Sequence, residues 1–114
     1  MPTAADFGLI DDELELLRAG LYEWDGSASL TDTVARALRF ESEADFTVQR
    51  RRMERSLGQG EPMSFADWRS VLLATEVVLA SDVVGSGVDW ETATGIRDAD
   101  ALRLLRSVQR KIVR

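Results

Sequence analysis

Glu76 is the residue on which any chemistry of this chain would have to turn. It falls in the middle of the longest apolar run, residues 64–84, with Leu72, Leu79, Ala80 and Val83 around it on a helical wheel. Arg69 lies on nearly the same meridian, two turns earlier. A carboxylate on a buried helical face must be paired, neutralised or set at the edge of a cavity. The leading expectation is a structural ion pair with an arginine from another helix, Arg50 being one candidate. A ligand-facing carboxylate comes second, and a catalytic acid or base third.

The rest of the sequence offers a catalytic Glu76 no co-workers. There is no histidine and no cysteine among the 114 residues. The usual general base, the Ser-His-Asp triad, thiolate nucleophiles, zinc–sulfur sites and disulfides are therefore excluded. A carboxylate-only magnesium site is chemically feasible, but no acidic spacing argues for one. Ser86 stands between Gly85 and Gly87 without the G-x-S-x-G spacing of a nucleophile elbow, and no G-K-[ST] ending makes this a phosphate loop. The expectation is a protein that is not an enzyme, with no cofactor and no bound metal.

Surfaces are then the remaining source of function. The formal charge of -6 favours a basic partner and opposes dedicated nucleic-acid binding. In the first helix, Asp12, Glu15 and Glu23, flanked by Leu16 and Tyr22, form the expected partner face. Acids with an exposed leucine and tyrosine among them suit protein recognition. Trp90 is expected either to plug one end of the core or to anchor a partner. Arg50, Arg51, Arg52 and Arg55, with the stripe Arg103, Arg106, Arg110 and Arg114, are the only basic clusters that could meet phosphates. Charge alternates in blocks, acidic over 1–32 and 61–96 and basic over 33–60 and 97–114. Such blocks suit oppositely charged neighbouring helices or a self-complementary, dimerising surface.

The elements that must position these residues are all helical. Ser64 followed by Asp67 is a capping-box-like start for the 64–84 helix. Charged interruptions leave that run too short to span a membrane. A first helix is expected from about residue 9 or 11 to 24, with Ile10, Leu14, Leu17, Leu21 and Trp24 inward. Gly20 inside it suggests a close helix crossing. A second helix is capped by Ser29 or Thr31 and runs to about 40. Residues 38–50 alternate in a way that would also suit a hairpin, but Ser42 to Asp45 is another helix start, and a third helix over 43–57 is the expectation. Helices two and three could also be one bent helix. A single turn over 89–95 precedes a last helix over 99–113, with Ala101, Leu102, Leu105, Val108 and Ile112 inward.

The expected architecture is thus an all-α bundle of four main helices plus one short turn, packed around the helix at 64–84. Residues 1–8 are expected as a loose arm and 9–114 as one domain. A basic start and an apolar segment are both missing from the N-terminus, so a cytoplasmic location is expected. Thirteen of fourteen basic residues are arginine, a composition typical of GC-rich bacterial genomes. By physical type the expected function is that of a toxin-immunity protein or antitoxin, which occludes a basic protein partner. A small-molecule-sensing domain with a cavity at Glu76 is the alternative, and a nucleic-acid-associated protein the second alternative.

Overall fold

The computed structural model describes residues 1–26, 28–81 and 84–112. Six α-helices carry the fold: α1 (Asp11–Tyr22), α2 (Asp32–Ala37), α3 (Glu43–Gln59), α4 (Phe65–Ala80), α5 (Trp90–Thr94) and α6 (Asp98–Lys111). No strand occurs among the described residues, so the region around 38–50 is helical as expected. No helix there is long and apolar enough to cross a membrane.

Local chemistry sets the helix ends. Thr31, Ser42 and Ser64 each accept a hydrogen bond from the amide three residues on, satisfying donors that the helix itself leaves open. Arg39 separates α2 from α3. Its φ of 75° breaks the helical path, so the two are not one bent helix. The α4 helix stops at Ala80, four residues short of the expected end, because the following chain folds back onto its last turns. Gly85 donates to the Ser81 carbonyl and Ser86 to the Val78 carbonyl. A Cβ at Gly85 would lie 2.4 Å from the Val77 carbonyl oxygen, so only glycine permits this approach. Asp82 and Val83, expected within the helix, lie outside the described residues.

The α4 helix buries Trp68, Val71, Leu72, Ala74, Thr75, Val78 and Leu79 and forms the apolar centre. The α1 helix is the one that packs on all of α4, α6 and α3. Leu17, Leu21 and Trp24 are buried as expected, but the inner face of α1 is turned toward residues that were not expected there. Glu13, Leu16, Leu17, Gly20 and Leu21 are buried, while Ile10 is exposed ahead of the first turn. The rotation follows from Gly20, where α1 lies against the Thr75 side chain. A Cβ at Gly20 would be 2.5 Å from Thr75 Oγ1 and 2.8 Å from its Cγ2. On α6, Leu104 is buried and Leu102, expected inward, is 55% exposed.

The N-terminal arm departs from the expected loose segment. The Pro2 carbonyl accepts from the Met63 amide and from Trp68 Nε1, both at 3.0 Å. Phe7 meets Trp68 edge-on at 5.3 Å between ring centroids. The arm closes over the start of α4, with Phe7 as its anchor.

Glu13 ties α1 to α6. Its Oε1 accepts from Lys111 Nζ at 2.6 Å and from the Ile10 amide at 2.9 Å. Ser107 lies close by, although Oε2 is left without a well-aligned partner. Burial is the largest influence on this carboxyl and opposes its ionisation. The hydrogen bonds from Lys111, Ser107 and Ile10 together outweigh burial and hold it below the usual glutamate range.

Two outcomes follow from this packing. Gly20→Ala adds helix propensity worth roughly 1 kcal/mol, yet it should destabilise by about 1–3 kcal/mol through overpacking at Thr75. Combining it with Thr75→Ala should recover stability relative to Gly20→Ala alone, as urea denaturation of both variants will measure. A carboxyl with a lowered folded pKa contributes stability that is present above its unfolded value, about 4.3 for glutamate, and lost as pH falls through the folded value. The melting temperature should therefore fall on acidification below about pH 4.3, and Glu13→Gln should show a shallower fall over that window.

Candidate functional site

Side chains of α1, the C-terminal half of α3, and α5 enclose a surface groove of about 760 Å³. The outer face of α1 builds one wall through Asp11, Leu14, Glu15, Arg18, Ala19 and Tyr22. Glu54, Leu57 and Gly58 of α3 build the other, and Ala93 and Thr94 of α5 close one end. The amphipathic period of α1 explains the wall: burial of residues 16, 17, 20 and 21 forces 11, 15, 18 and 22 outward.

Four carboxylates, those of Asp11, Glu15, Glu23 and Glu54, line the groove against one cation, Arg18. They are not equivalent. Glu54 Oε1 accepts from Arg50 Nη1 at 2.8 Å. Glu23 Oε2 accepts from the Ser86 hydroxyl at 3.2 Å. Asp11 and Glu15 are exposed and carry the accessible negative charge. Tyr22, 64% exposed, offers a flat amphipathic ring beside them.

The structure therefore divides the expected partner face. Glu15 and Tyr22 line the groove, and Asp12 is exposed on the same helix outside it. Leu16 and Glu23 do not belong to an exposed face. Leu16 is fully buried because it flanks the Gly20 crossing. Glu23 is 4% exposed because the turn Glu23–Asp25 after α1 swings it under the chain, toward Ser86. Trp90 is fully buried at the start of α5, which makes it the plug and not an exposed anchor.

The charged pair of the central helix also lands differently from the leading expectation. Glu76 is half-buried and not enclosed. It accepts from Gln109 Nε2 of α6 at 2.6 Å and shares a surface hollow with the exposed Arg69. Arg50, the suggested partner of Glu76, is only 2% exposed and lies instead 2.8 Å from both Asp25 and Glu54. The Asp25 contact is an ion pair without hydrogen-bond alignment at Nη2. Arg52 makes a two-pronged bridge to Asp67 of α4 at 2.8 and 3.0 Å, which holds its guanidinium more firmly protonated. Of the arginine cluster on α3, Arg51 and Arg55 remain exposed, as do Arg103, Arg106 and Arg110 on α6. Arg114 lies outside the described residues.

Sequence reasoning did not place Asp11, Arg18 or Glu54 at a site. For Asp11 and Arg18 a signal existed: each is one helical turn from Glu15, on the side opposite Leu17 and Leu21. For Glu54 none did, because its place depends on how α3 lies against α1. Among the described residues, no group of three acidic side chains is arranged to hold a metal ion. Compared with protein-family models, curated proteins and solved structures, the chain has no significant match.

Accessible and buried charges should separate in a stability measurement. Glu15→Gln and Tyr22→Ser should stay within about 0.5 kcal/mol of the parent. Arg50→Ala should cost about 2–4 kcal/mol, since it empties a packed site and removes the partner of Asp25 and Glu54. Chemical denaturation of the three variants checks this.

Proposed function

We propose that this chain is a non-catalytic protein-binding module that occludes a basic protein partner, with the α1/α3/α5 groove as its docking face. The observation that carries the reading is the lining of the groove, where Asp11 and Glu15 are the accessible carboxylates among four and Arg18 is the one guanidinium. Complementary charge of this kind speeds encounter and rejects wrong partners more than it adds affinity. Anchoring falls to Tyr22, a large side chain of few rotatable bonds, of a type enriched among residues that dominate binding energy.

This function requires no reaction, and occlusion needs only a preformed surface. The groove walls are tied to their neighbours: α1 packs on α4 at Gly20 and Thr75, and Arg50 and Arg52 pair α3 with Asp25 and Asp67. The reading agrees with toxin-immunity proteins and antitoxins as a physical type, where an acidic face covers a basic target. That agreement is one of class only.

The test is co-purification from the native host followed by calorimetry with the recovered partner. A basic partner is expected, with affinity that falls as salt rises. Glu15→Lys and Tyr22→Ser should each weaken binding about tenfold or more. A partner whose affinity ignores both substitutions would remove the groove from the interface.

A further inference from the structure

The outward stripe of α4 carries a second, separate site. Arg69, Ser70, Leu73 and Glu76 follow one another along it, and Arg39, from the link between α2 and α3, faces them. These five residues line a hollow of about 290 Å³, which shares no residue with the α1/α3/α5 groove. The inference does not rest on the function proposed above.

The hollow has two chemically distinct ends. At one end are two guanidiniums. Neither Arg39 nor Arg69 takes part in an ion pair or a side-chain hydrogen bond among the described residues, whereas Arg50 and Arg52 on the neighbouring helix do. Three carboxylates lie beside them in the adjoining hollow, those of Glu41, Asp45 and Asp67, and the last two are already engaged. Asp67 is held by both prongs of Arg52, and Asp45 accepts from the Glu41 amide and from Gln49. Among the described residues, Arg39 is also the non-glycine residue that takes a left-handed backbone, with φ of 75°, a conformation costing about 1–2 kcal/mol. Two like charges lining one concavity repel, and a bound anion relieves that repulsion. Guanidiniums bind a carboxylate or phosphate through paired, planar hydrogen bonds, and the Ser70 hydroxyl supplies one more donor.

At the other end stands Glu76, seven residues and about 10 Å of helix from Arg69. Its carboxylate accepts from Gln109, which orients it. Leu73, half-buried, lies between the two ends and offers an apolar floor.

We propose that this hollow binds a small zwitterion: an anionic head on Arg39, Arg69 and Ser70, a short methylene body on Leu73, and an ammonium group at Glu76. The arrangement answers the question posed by a carboxylate in an apolar run. Glu76 is placed to complete a ligand site at the surface, and the neighbouring half-buried leucine is its floor.

The test is titration of the isotope-labelled protein with three probes, 6-aminohexanoate, hexanoate and inorganic phosphate, followed through the backbone amides of residues 69–76. The proposal expects 6-aminohexanoate to shift these amides and to bind at least about threefold more tightly than hexanoate. Arg69→Ala and Arg39→Gly should each weaken 6-aminohexanoate about tenfold. The glycine also relieves the left-handed backbone, so loss of binding there does not reflect misfolding. Glu76→Gln should bring 6-aminohexanoate down to the level of hexanoate, with the spectrum elsewhere unchanged. Equal binding of the two carboxylates would overturn the proposal. So would tighter binding of phosphate that ignores Glu76→Gln, or no shift at residues 69–76 with any probe.

Discussion

The close approach of α1 to α4 at Gly20 and Thr75 is the constraint on which the rest of this structure depends. With no Cβ on Gly20, the Thr75 side chain occupies the space one would take. Thr75, fully buried, satisfies its hydroxyl by donating to the Val71 carbonyl within its own helix. The crossing thus leaves no polar group stranded. It also selects which meridian of α1 points inward, and the consequences spread in both directions around that helix. Glu13 and Leu16 turn into the interior, and Asp11, Glu15, Arg18 and Tyr22 turn out to form a wall of the groove.

Charged side chains also tie the elements together, and Glu13 and Arg50 are the buried members of these pairs. Lys111 meets Glu13 across α6 and α1, and Arg50 of α3 meets Asp25 after α1. Arg52 joins α3 to α4 through Asp67. Buried ion pairs rarely add much net stability, because desolvation offsets their attraction, but breaking one leaves a charge that the interior cannot solvate. Their effect here is to specify how the helices lie. The alternating acidic and basic blocks of the sequence find one expression in these inter-helix pairs.

Two surfaces result, and their chemistry differs. The α1/α3/α5 groove is large, acidic and rimmed by an exposed aromatic ring, which suits a macromolecular partner of opposite charge. The hollow over α4 is smaller and holds both signs of charge at opposite ends, with an apolar strip between, which suits a small molecule. Each is lined by residues from more than one element, so neither exists until the bundle has formed.

Much of this was legible in the residues alone. Capping serines and threonines, glycine stops and the 3.6-residue period located the helices, because these are interactions within a few residues of each other. The absence of histidine and cysteine, the acidic balance and Gly20 as a crossing point were legible for the same reason. The orientation of each helix about its own axis was not. The pattern Ile10, Leu14, Leu17, Leu21 and Trp24 and the pattern Glu13, Leu16, Leu17, Gly20 and Leu21 are both helical, and the sequence favoured the more apolar one. The Thr75 contact turned the helix toward the other while keeping Leu17, Leu21 and Trp24 inside, at the expense of burying a glutamate that Lys111 pairs with at one oxygen. Likewise Glu76 sits at the centre of an apolar arc on paper, but α4 is covered on only part of its circumference, so that arc opens at the surface. Local chemistry, in short range, determined what the elements are; which face of each is hidden, and so which charges are buried and which stay at the surface, was settled by contacts between residues tens of positions apart.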